Sequence, residues 1–156
     1  AGKVFPDYTF GAHAAEVEVD TETGAVRVLK YAAAHDVGRA INPQSVEGQI
    51  QGGAVQGLGY ALMEEVVVQE GVNLTTSFAS YLIPTAADVA DVEPLVVESG
   101  EGLGPFNARG IGEPPIGPPA AAVANAIADA TGARVTRLPM TAERVAAALG
   151  LLGEAR

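Results

Sequence analysis

The chain places one glutamate between two glycines and two prolines, in the run Arg109-Gly110-Ile111-Gly112-Glu113-Pro114-Pro115. A residue that precedes proline is disfavoured in the helical region, so we expect an extended backbone at Glu113. Gly110 and Gly112 have no Cβ, so a ligand can approach the backbone closely beside this carboxylate. The run therefore predicts either a carboxylate aimed at a ligand or a solvated glutamate on a surface loop, and the local pattern leaves both open.

A helix is predicted directly after this run. Pro118 and Pro119 suit a first helical turn, and Gly132 is the residue type preferred just past a helix end. The alanine-rich segment between them favours a helix from about Pro119 to Thr131. Its N-terminus lies a few residues after Glu113, where free N–H groups and the helix dipole favour a nearby anion. The glycine-rich lead-in, residues 99–108, predicts an irregular loop that could line a pocket.

Length and composition limit the classes of protein to consider. The 156 residues are enough for one domain with its own core, and we expect residues 1–156 to form a single domain. The formal net charge of −10 argues against nucleic acid as the main partner. The absence of cysteine excludes disulfides, thiolate metal sites and iron–sulfur ligation by this chain. Two histidines are too few for a histidine-rich metal site.

Strand patterns flank a long helix, so the sequence predicts an α+β fold. Residues 11–30 alternate around the turn at Asp20–Gly24 and predict a β-hairpin. Further short strands are expected at residues 66–74 and 92–98. Thr141 is a helix-capping residue type and predicts a last short helix after it.

The long helix is predicted from Pro43, with Asn42 as its cap, to about Glu65. Five glycines inside it cost about 1 kcal/mol each relative to alanine, so a compensating contact is expected. Gln49, Gly53 and Gln56 share one face. That face predicts either a bound flat ligand or close packing of another backbone. The glutamines and glycines between residues 48 and 63 also argue against a membrane span.

Two further residues bear on chemistry. The segment that contains Asp36 and Arg39 is expected to be a loop ordered by a local pair between these two side chains. His13 is expected to be a strand residue without a ligand role.

Two motifs, taken in this order, resemble the C-terminal end of the molybdopterin-binding subunit of the xanthine dehydrogenase and aldehyde oxidase family, the molybdenum hydroxylases. The first runs from Asp36 to Pro43 and continues through the glutamine- and glycine-rich helix to Gly59. The second is the Gly110–Pro115 run with the helix after it. The resemblance spans about residues 11–149 and implies the C-terminal piece of a larger, α+β molybdenum-cofactor-binding domain.

The resemblance also implies an activity: an aldehyde, a purine, an N-heterocycle or a similar small molecule is oxidised by water-derived hydroxylation. The glutamate that matches Glu113 is implied as the general base, taking a proton from a hydroxyl on the metal. The residues implied to face the cofactor are Gln49, Gly110, Ile111, Gly112 and, more weakly, Gln56. No side chain of this chain is implied as a metal ligand.

The implied cofactor is molybdenum on a pyranopterin (molybdopterin), with its cytosine dinucleotide form left open. Iron–sulfur clusters and FAD are implied only on partner chains or domains. The family's subunits are several times longer than this chain, so the remainder of the molybdenum-binding subunit is an implied partner, together with iron–sulfur and FAD subunits. A cytoplasmic location is implied as well. The alternative is a non-catalytic structural or assembly fragment of the same family without bound cofactor.

Overall fold

The computed structural model describes residues 7–152 and shows the expected α+β fold. Three helices and five strands follow one another along the chain, with short 3₁₀ turns before α2. In chain order the elements are β1 (Gly11–Val19), β2 (Val26–Asp36), α1 (Pro43–Leu62), β3 (Val68–Gln69), β4 (Val72–Asn73), β5 (Val92–Val97), α2 (Pro119–Thr131) and α3 (Ala142–Ala148).

The predicted hairpin is confirmed, and its second strand is longer than expected. β1 and β2 pair antiparallel around the Asp20–Gly24 turn, and β2 continues to Asp36 through a segment that we expected to be loop. The register shifts between Glu16 and Val17, which pair with Lys30 and Val28, so Leu29 is an extra residue. Such a bulge reverses the inward phase of a strand. Val28 is therefore buried before it, and every second residue from Tyr31 is buried after it.

The strand at residues 92–97 completes a three-stranded sheet in the order β1-β2-β5. β5 pairs parallel with the second half of β2, so that Tyr31 lies opposite Val92 and Asp36 opposite Val97. A parallel pair needs a long crossover connection, and α1 lies within it. The end of β2 and the loop that follows β5 therefore emerge at the same edge of the sheet.

The helix α1 begins as predicted and ends three residues earlier. Asn42 caps it by accepting a hydrogen bond from the Ser45 N–H, and Pro43 occupies the first turn. The N–H groups of Met63 and Glu64 both donate to the carbonyl of Gly59, which terminates the helix at Leu62. Its buried face packs into the core through Val46, Ile50, Ala54, Leu58 and Ala61.

The two later helices lie where the sequence predicted them. α2 spans Pro119–Thr131 and ends at Gly132, whose φ of 77° is the left-handed conformation that favours glycine. α3 is capped by Thr141, whose Oγ1 accepts from the Arg144 N–H. None of the helices within residues 7–152 combines the length and apolar character that crossing a membrane requires.

Candidate active site

An open groove of about 630 Å³ lies beside the Glu113 run. One wall is the segment that precedes β1, and the other is the glycine-rich run itself. A hydrogen bond joins the two walls: the Thr9 Oγ1 donates to the carbonyl of Gly110 at 2.8 Å. The groove is lined by Asp7, Tyr8, Thr9, Gly110, Gly112, Glu113 and Pro114.

Glu113 is exposed and sits immediately before the 3₁₀ turn Pro114–Ile116. Our expectation of an extended backbone is wrong: its φ of −105° and ψ of −31° lie in the helical region. Proline disfavours this conformation in the residue before it, and the turn stabilises it here, since the Ile116 N–H donates to the Glu113 carbonyl at 3.2 Å. Glu113 therefore caps a rigid turn rather than a strand.

Two glycines of α1 let this turn approach the helix closely. A Cβ on Gly53 would lie 2.7 Å from the Pro115 Cβ. A Cβ on Gly57 would lie 2.5 Å from the Pro119 Cγ and 2.8 Å from the Ile116 carbonyl oxygen. Of the two uses we considered for the glycine face, Gly53 and Gly57 serve close packing. That packing fixes the turn after Glu113 against α1.

Close packing against other described residues does not account for the glycines on the other side of α1. A Cβ on Gly48 or Gly52 would have no neighbour within 4 Å. Gln49 stands between them, exposed, and its Oε1 lies 3.9 Å from the position of a Cβ on Gly112. The structure thus brings Gln49 beside the groove. Gln56 is also exposed, two helical turns further on, and neither glutamine is itself among the residues that line the groove.

The backbone of the Glu113 run carries N–H groups that no other described residue accepts from. Within residues 7–152, the N–H groups of Gly110, Ile111 and Gly112 have no hydrogen-bond acceptor. The Ile111 side chain is half-buried and packs against the hydrophobic core, so only its backbone can face a ligand. Consecutive free N–H groups suit an oxo or other electron-rich oxygen ligand.

A second carboxylate lines the groove but is already bound within the protein. The N–H groups of Leu103 and Tyr8 donate to Asp7, both at 2.8 Å. These two hydrogen bonds lower the pKa of Asp7 from 3.8, with the Arg109 charge contributing in the same direction. Glu113 has no ion-pair partner among the described residues. Of the two carboxylates, Glu113 is the one available to a ligand.

Arg109 fixes the start of the run, a role the sequence did not reveal. Its guanidinium pairs with Asp36 at 3.1 Å, donates to the Tyr8 carbonyl at 3.0 Å and also bonds the Glu101 carbonyl. Its backbone N–H donates to the Val37 carbonyl. The side chains of Arg109 and Asp36 are only 9% and 15% exposed.

The predicted local pair between Asp36 and Arg39 is therefore wrong, because the partner of Asp36 lies 73 positions away. Burial acts to raise the pKa of Asp36. Hydrogen bonds from the Gly38 N–H and from Ser99, with the Arg109 charge, outweigh burial and lower the pKa from 3.8. Asp36 thus stays ionised and pairs with the Arg109 guanidinium, which forms no ion pair with Glu113.

A network of three aromatic rings joins the first two strands of the sheet. His13 Nδ1 lies 2.8 Å from the Tyr31 hydroxyl, and His13 Nε2 lies 2.7 Å from His35 Nε2. The Nδ1 of His35 has no partner among the described residues. Burial and the charge of His35 lower the pKa of His13 to about 4, and burial also lowers the pKa of His35 and raises that of Tyr31. His13 is a strand residue as expected, and its role is to join β1 to β2.

This network predicts a loss of stability on mild acidification. The unfolded chain takes up the His13 proton near pH 6.5, whereas the folded chain resists it down to about pH 4. The contribution of neutral His13 to the free energy of unfolding is therefore fully present above pH 6.5, and it is lost as the pH drops towards 4. Between pH 7 and 5 we expect the free energy of unfolding, measured by urea unfolding, to fall by about 1 kcal/mol. The loss is smaller than the full pKa shift would give, because solvent screens part of the effect on this half-buried ring. The low pKa of Asp36 keeps that residue charged throughout this window.

His13→Gln is the control for this prediction, because glutamine can still hydrogen-bond but does not titrate. We expect the variant to lose markedly less stability than the parent over the same interval. An equal loss in both proteins would show that His13 does not cause the acid sensitivity.

Comparison with known proteins places this chain and its fold in a family. The profile of a family described as "Molybdopterin cofactor-binding domain" matches residues 1–90, more than half of the chain. That match covers Gln49 and ends before Glu113. The 6-hydroxypseudooxynicotine dehydrogenase complex subunit gamma of Paenarthrobacter nicotinovorans is 41% identical over 143 residues, which are 89% of this chain and 18% of that protein. The xanthine dehydrogenase molybdenum-binding subunit of Escherichia coli O157:H7 is 36% identical over 87% of this chain and 18% of that protein.

Solved structures agree with these relatives. Quinoline 2-oxidoreductase from Pseudomonas putida 86 superposes with a TM-score of 0.84 at 38% identity, covering 90% of this chain and 18% of that one. Aldehyde oxidoreductase from Desulfovibrio gigas gives a TM-score of 0.83 at 35% identity, covering 91% of this chain and 15% of that one. The chain spans about a fifth of the length of the curated relatives cited above. The chain therefore belongs to the molybdopterin cofactor-binding domain family and corresponds to a fragment of the molybdenum-binding subunits of xanthine dehydrogenases and aldehyde oxidoreductases.

Proposed function

We propose that this chain supplies the general base and one wall of the cofactor pocket to a molybdenum hydroxylase. The observation that carries the proposal is the groove that an exposed carboxylate, Glu113, lines together with backbone donors unpaired within residues 7–152, with the Gln49 amide beside it. The substrate class is an aldehyde, a purine, an N-heterocycle or a similar small molecule that is hydroxylated with oxygen from water. Relatives named for xanthine, quinoline and aldehyde support this range.

The residues of the groove fit a molybdenum–pyranopterin cofactor. The Gln49 side chain offers one oxygen acceptor and one NH₂ donor, which suits the mixed polar edge of a pterin. The N–H groups of Gly110, Ile111 and Gly112 suit an electron-rich oxygen, and Gln56 is a more distant candidate on the same helix. Within residues 7–152, no group of three His, Cys, Asp or Glu side chains is placed to hold a metal. When bound, the molybdenum would act as a Lewis acid and accept two electrons.

The part played by this chain is proton transfer and positioning. Glu113 accepts a proton at its carboxylate, and it can do so because neither Arg109 nor another described cation is paired with it. Asp36 pairs with the Arg109 guanidinium and so fixes the start of the Glu113 run. The Pro114–Ile116 turn, packed on Gly53 and Gly57, holds Glu113 at one side of the groove.

The rest of the enzyme is proposed to lie on other polypeptide. Four fifths of the relatives' length has no counterpart in this chain. We propose that the remainder of the molybdenum-binding subunit supplies the other pocket wall and the substrate-selecting residues. Iron–sulfur and FAD-bearing subunits are proposed to carry the electrons away. We call this chain together with those polypeptides the complete assembly.

Molybdenum analysis tests the proposal against the non-catalytic alternative. We expect the complete assembly to contain about one molybdenum per copy of this chain, and the chain purified alone to contain much less. A complete assembly without molybdenum or pterin would favour a purely structural fragment and would contradict the proposal.

Gln49→Ala is expected to weaken cofactor retention in the complete assembly. Loss of the amide leaves a cofactor polar atom unpaired, at a cost of about 1–3 kcal/mol, which corresponds to roughly 5- to 150-fold. We expect lower turnover and lower molybdenum content with an unchanged circular dichroism spectrum. Gln44→Ala, an exposed glutamine of the same helix outside the groove, is the control. If Gln49→Ala matches the parent in both turnover and molybdenum content, Gln49 does not bind the cofactor.

A further inference from the structure

A second surface, remote from the groove, is strongly apolar. We define the 66–83 surface as the exposed apolar side chains between residues 66 and 83, which follow the C-terminal end of α1. Val68 and Val72 are 61% and 60% exposed, and Phe78 is 80% exposed. Val66, Leu74 and Leu82 are likewise at least half exposed. An exposed apolar patch of this kind marks a site of interaction with another surface.

The hairpin within this surface is apolar on both of its faces. Val68 pairs with Asn73 and Gln69 with Val72, and the Leu74 N–H donates to the Val67 carbonyl. Because side chains alternate along a strand, Val72 and Leu74 lie on one face and Val68 lies on the other. A two-stranded hairpin is marginally stable in water. A hairpin with apolar side chains on both faces therefore needs another surface to pack against each face.

The charge content of the segment points to a permanent contact. Glu70 is the single charged residue between positions 66 and 83, although 18% of the whole chain is charged. Depletion of charge is typical of the core of an interface. Transient contacts are more polar, whereas obligate contacts resemble a divided hydrophobic core. The 66–83 surface therefore has the composition of an obligate interface.

We infer that the 66–83 surface docks onto the part of the molybdenum-binding subunit polypeptide that lies outside this chain. In the solved relatives, a fold that superposes on 90% of this chain makes up only 18% of one continuous polypeptide. In such a subunit the remaining four fifths is covalently joined to this fold, so it is always present in one copy per copy of the fold and can stay in permanent contact with it. This inference rests on the proposed completion of the chain by that polypeptide, but not on the role of Glu113.

Site-specific photocrosslinking in the complete assembly identifies the occupant. A photoreactive phenylalanine analogue such as benzoylphenylalanine replaces Phe78, and mass spectrometry maps the product. We expect crosslinks to the remainder of the molybdenum-binding subunit. Crosslinks mainly to an iron–sulfur or FAD subunit, crosslinks to a second copy of this chain, or no crosslink would each overturn the inference.

A paired substitution provides a second measurement. V68K/V72K places one lysine on each face of the hairpin, where it is solvated in the free chain and buried in the docked one. We expect the yield of complete assembly on size-exclusion chromatography to fall about tenfold or more, since burial of an unpaired charge is costly. Leu29→Lys, at an exposed apolar position of β2, is the control and should leave the yield unchanged.

The docking test is separable from the catalytic proposal. Normal yield for V68K/V72K would overturn the docking surface, whatever the activity. The expected crosslinks in an assembly without molybdenum would support the docking surface and contradict the proposed function.

Discussion

Glu113→Gln is expected to lower the turnover of the complete assembly by about 10²–10⁴-fold, the range typical of general acid–base catalysis. Glutamine keeps the size of the side chain and can still hydrogen-bond, but it cannot accept a proton at neutral pH. The side chain is exposed and has no ion-pair partner among the described residues, so the substitution leaves no structural contact broken. Steady-state kinetics with the assembly's own substrate measures the effect.

Two controls separate proton transfer from cofactor loss. Molybdenum content should be unchanged in Glu113→Gln, because the proposal gives this carboxylate no contact with the metal as a ligand. Glu22→Gln removes an exposed carboxylate in the β1–β2 turn, which is not among the residues that line the groove, and should retain full activity. Near-parental turnover in Glu113→Gln would remove this residue from the mechanism and refute the proposed base.

Gly57→Val is expected to destabilise the fold by about 3 kcal/mol or more and to abolish most of the activity. The new Cβ would lie 2.5 Å from the Pro119 ring and 2.8 Å from the Ile116 carbonyl oxygen. Neither contact can relax by rotation of a flexible side chain, so α2 and the turn must move away from α1. That movement also separates Glu113 from the Gln49 side of the groove. Thermal unfolding and turnover measure the two effects.

Gly52→Val is the matched control, since it makes the same substitution in the same helix. A Cβ at Gly52 would have no described neighbour within 4 Å, and valine has a higher helix propensity than glycine. We expect stability equal to the parent or slightly higher. If both variants lose stability equally, valine itself and not the contact with Pro119 is responsible.

Local signals predicted much of the fold. The prolines and Gly132 around α2 marked both of its ends, and Asn42-Pro43 marked the start of α1. The extension of β2 through Ala32–Ala34 was missed, because three alanines carry no alternation of polar and apolar residues. The bulge at Leu29 was missed as well, since no turn residue marks it and only the pairing with β1 reveals it.

The candidate site was predictable to the extent that its residues stand in short motifs. The structure places Gln49 beside Gly112, although these residues are 63 positions apart, and their roles stay predictions. The ion pair between Asp36 and Arg109 could not be predicted from the sequence, because Arg39 is a cation much nearer to Asp36 along the chain. The His13–Tyr31–His35 network was also missed. It depends on a register that places His13 opposite Ala33, between the other two residues.

The bond between Thr9 and Gly110 closes a loop of 101 positions, and Arg109 reaches the Tyr8 carbonyl over the same separation. Such distant pairings carry the largest entropy of closure, and chains rich in them fold slowly. We therefore expect the groove to form late in folding. During synthesis, the segment before β1 that forms the first wall has no second wall to pair with until residues 109–113 have left the ribosome. A pause or truncation between residues 62 and 109 would consequently yield the hairpin and the glycine-rich helix without the second wall of the groove.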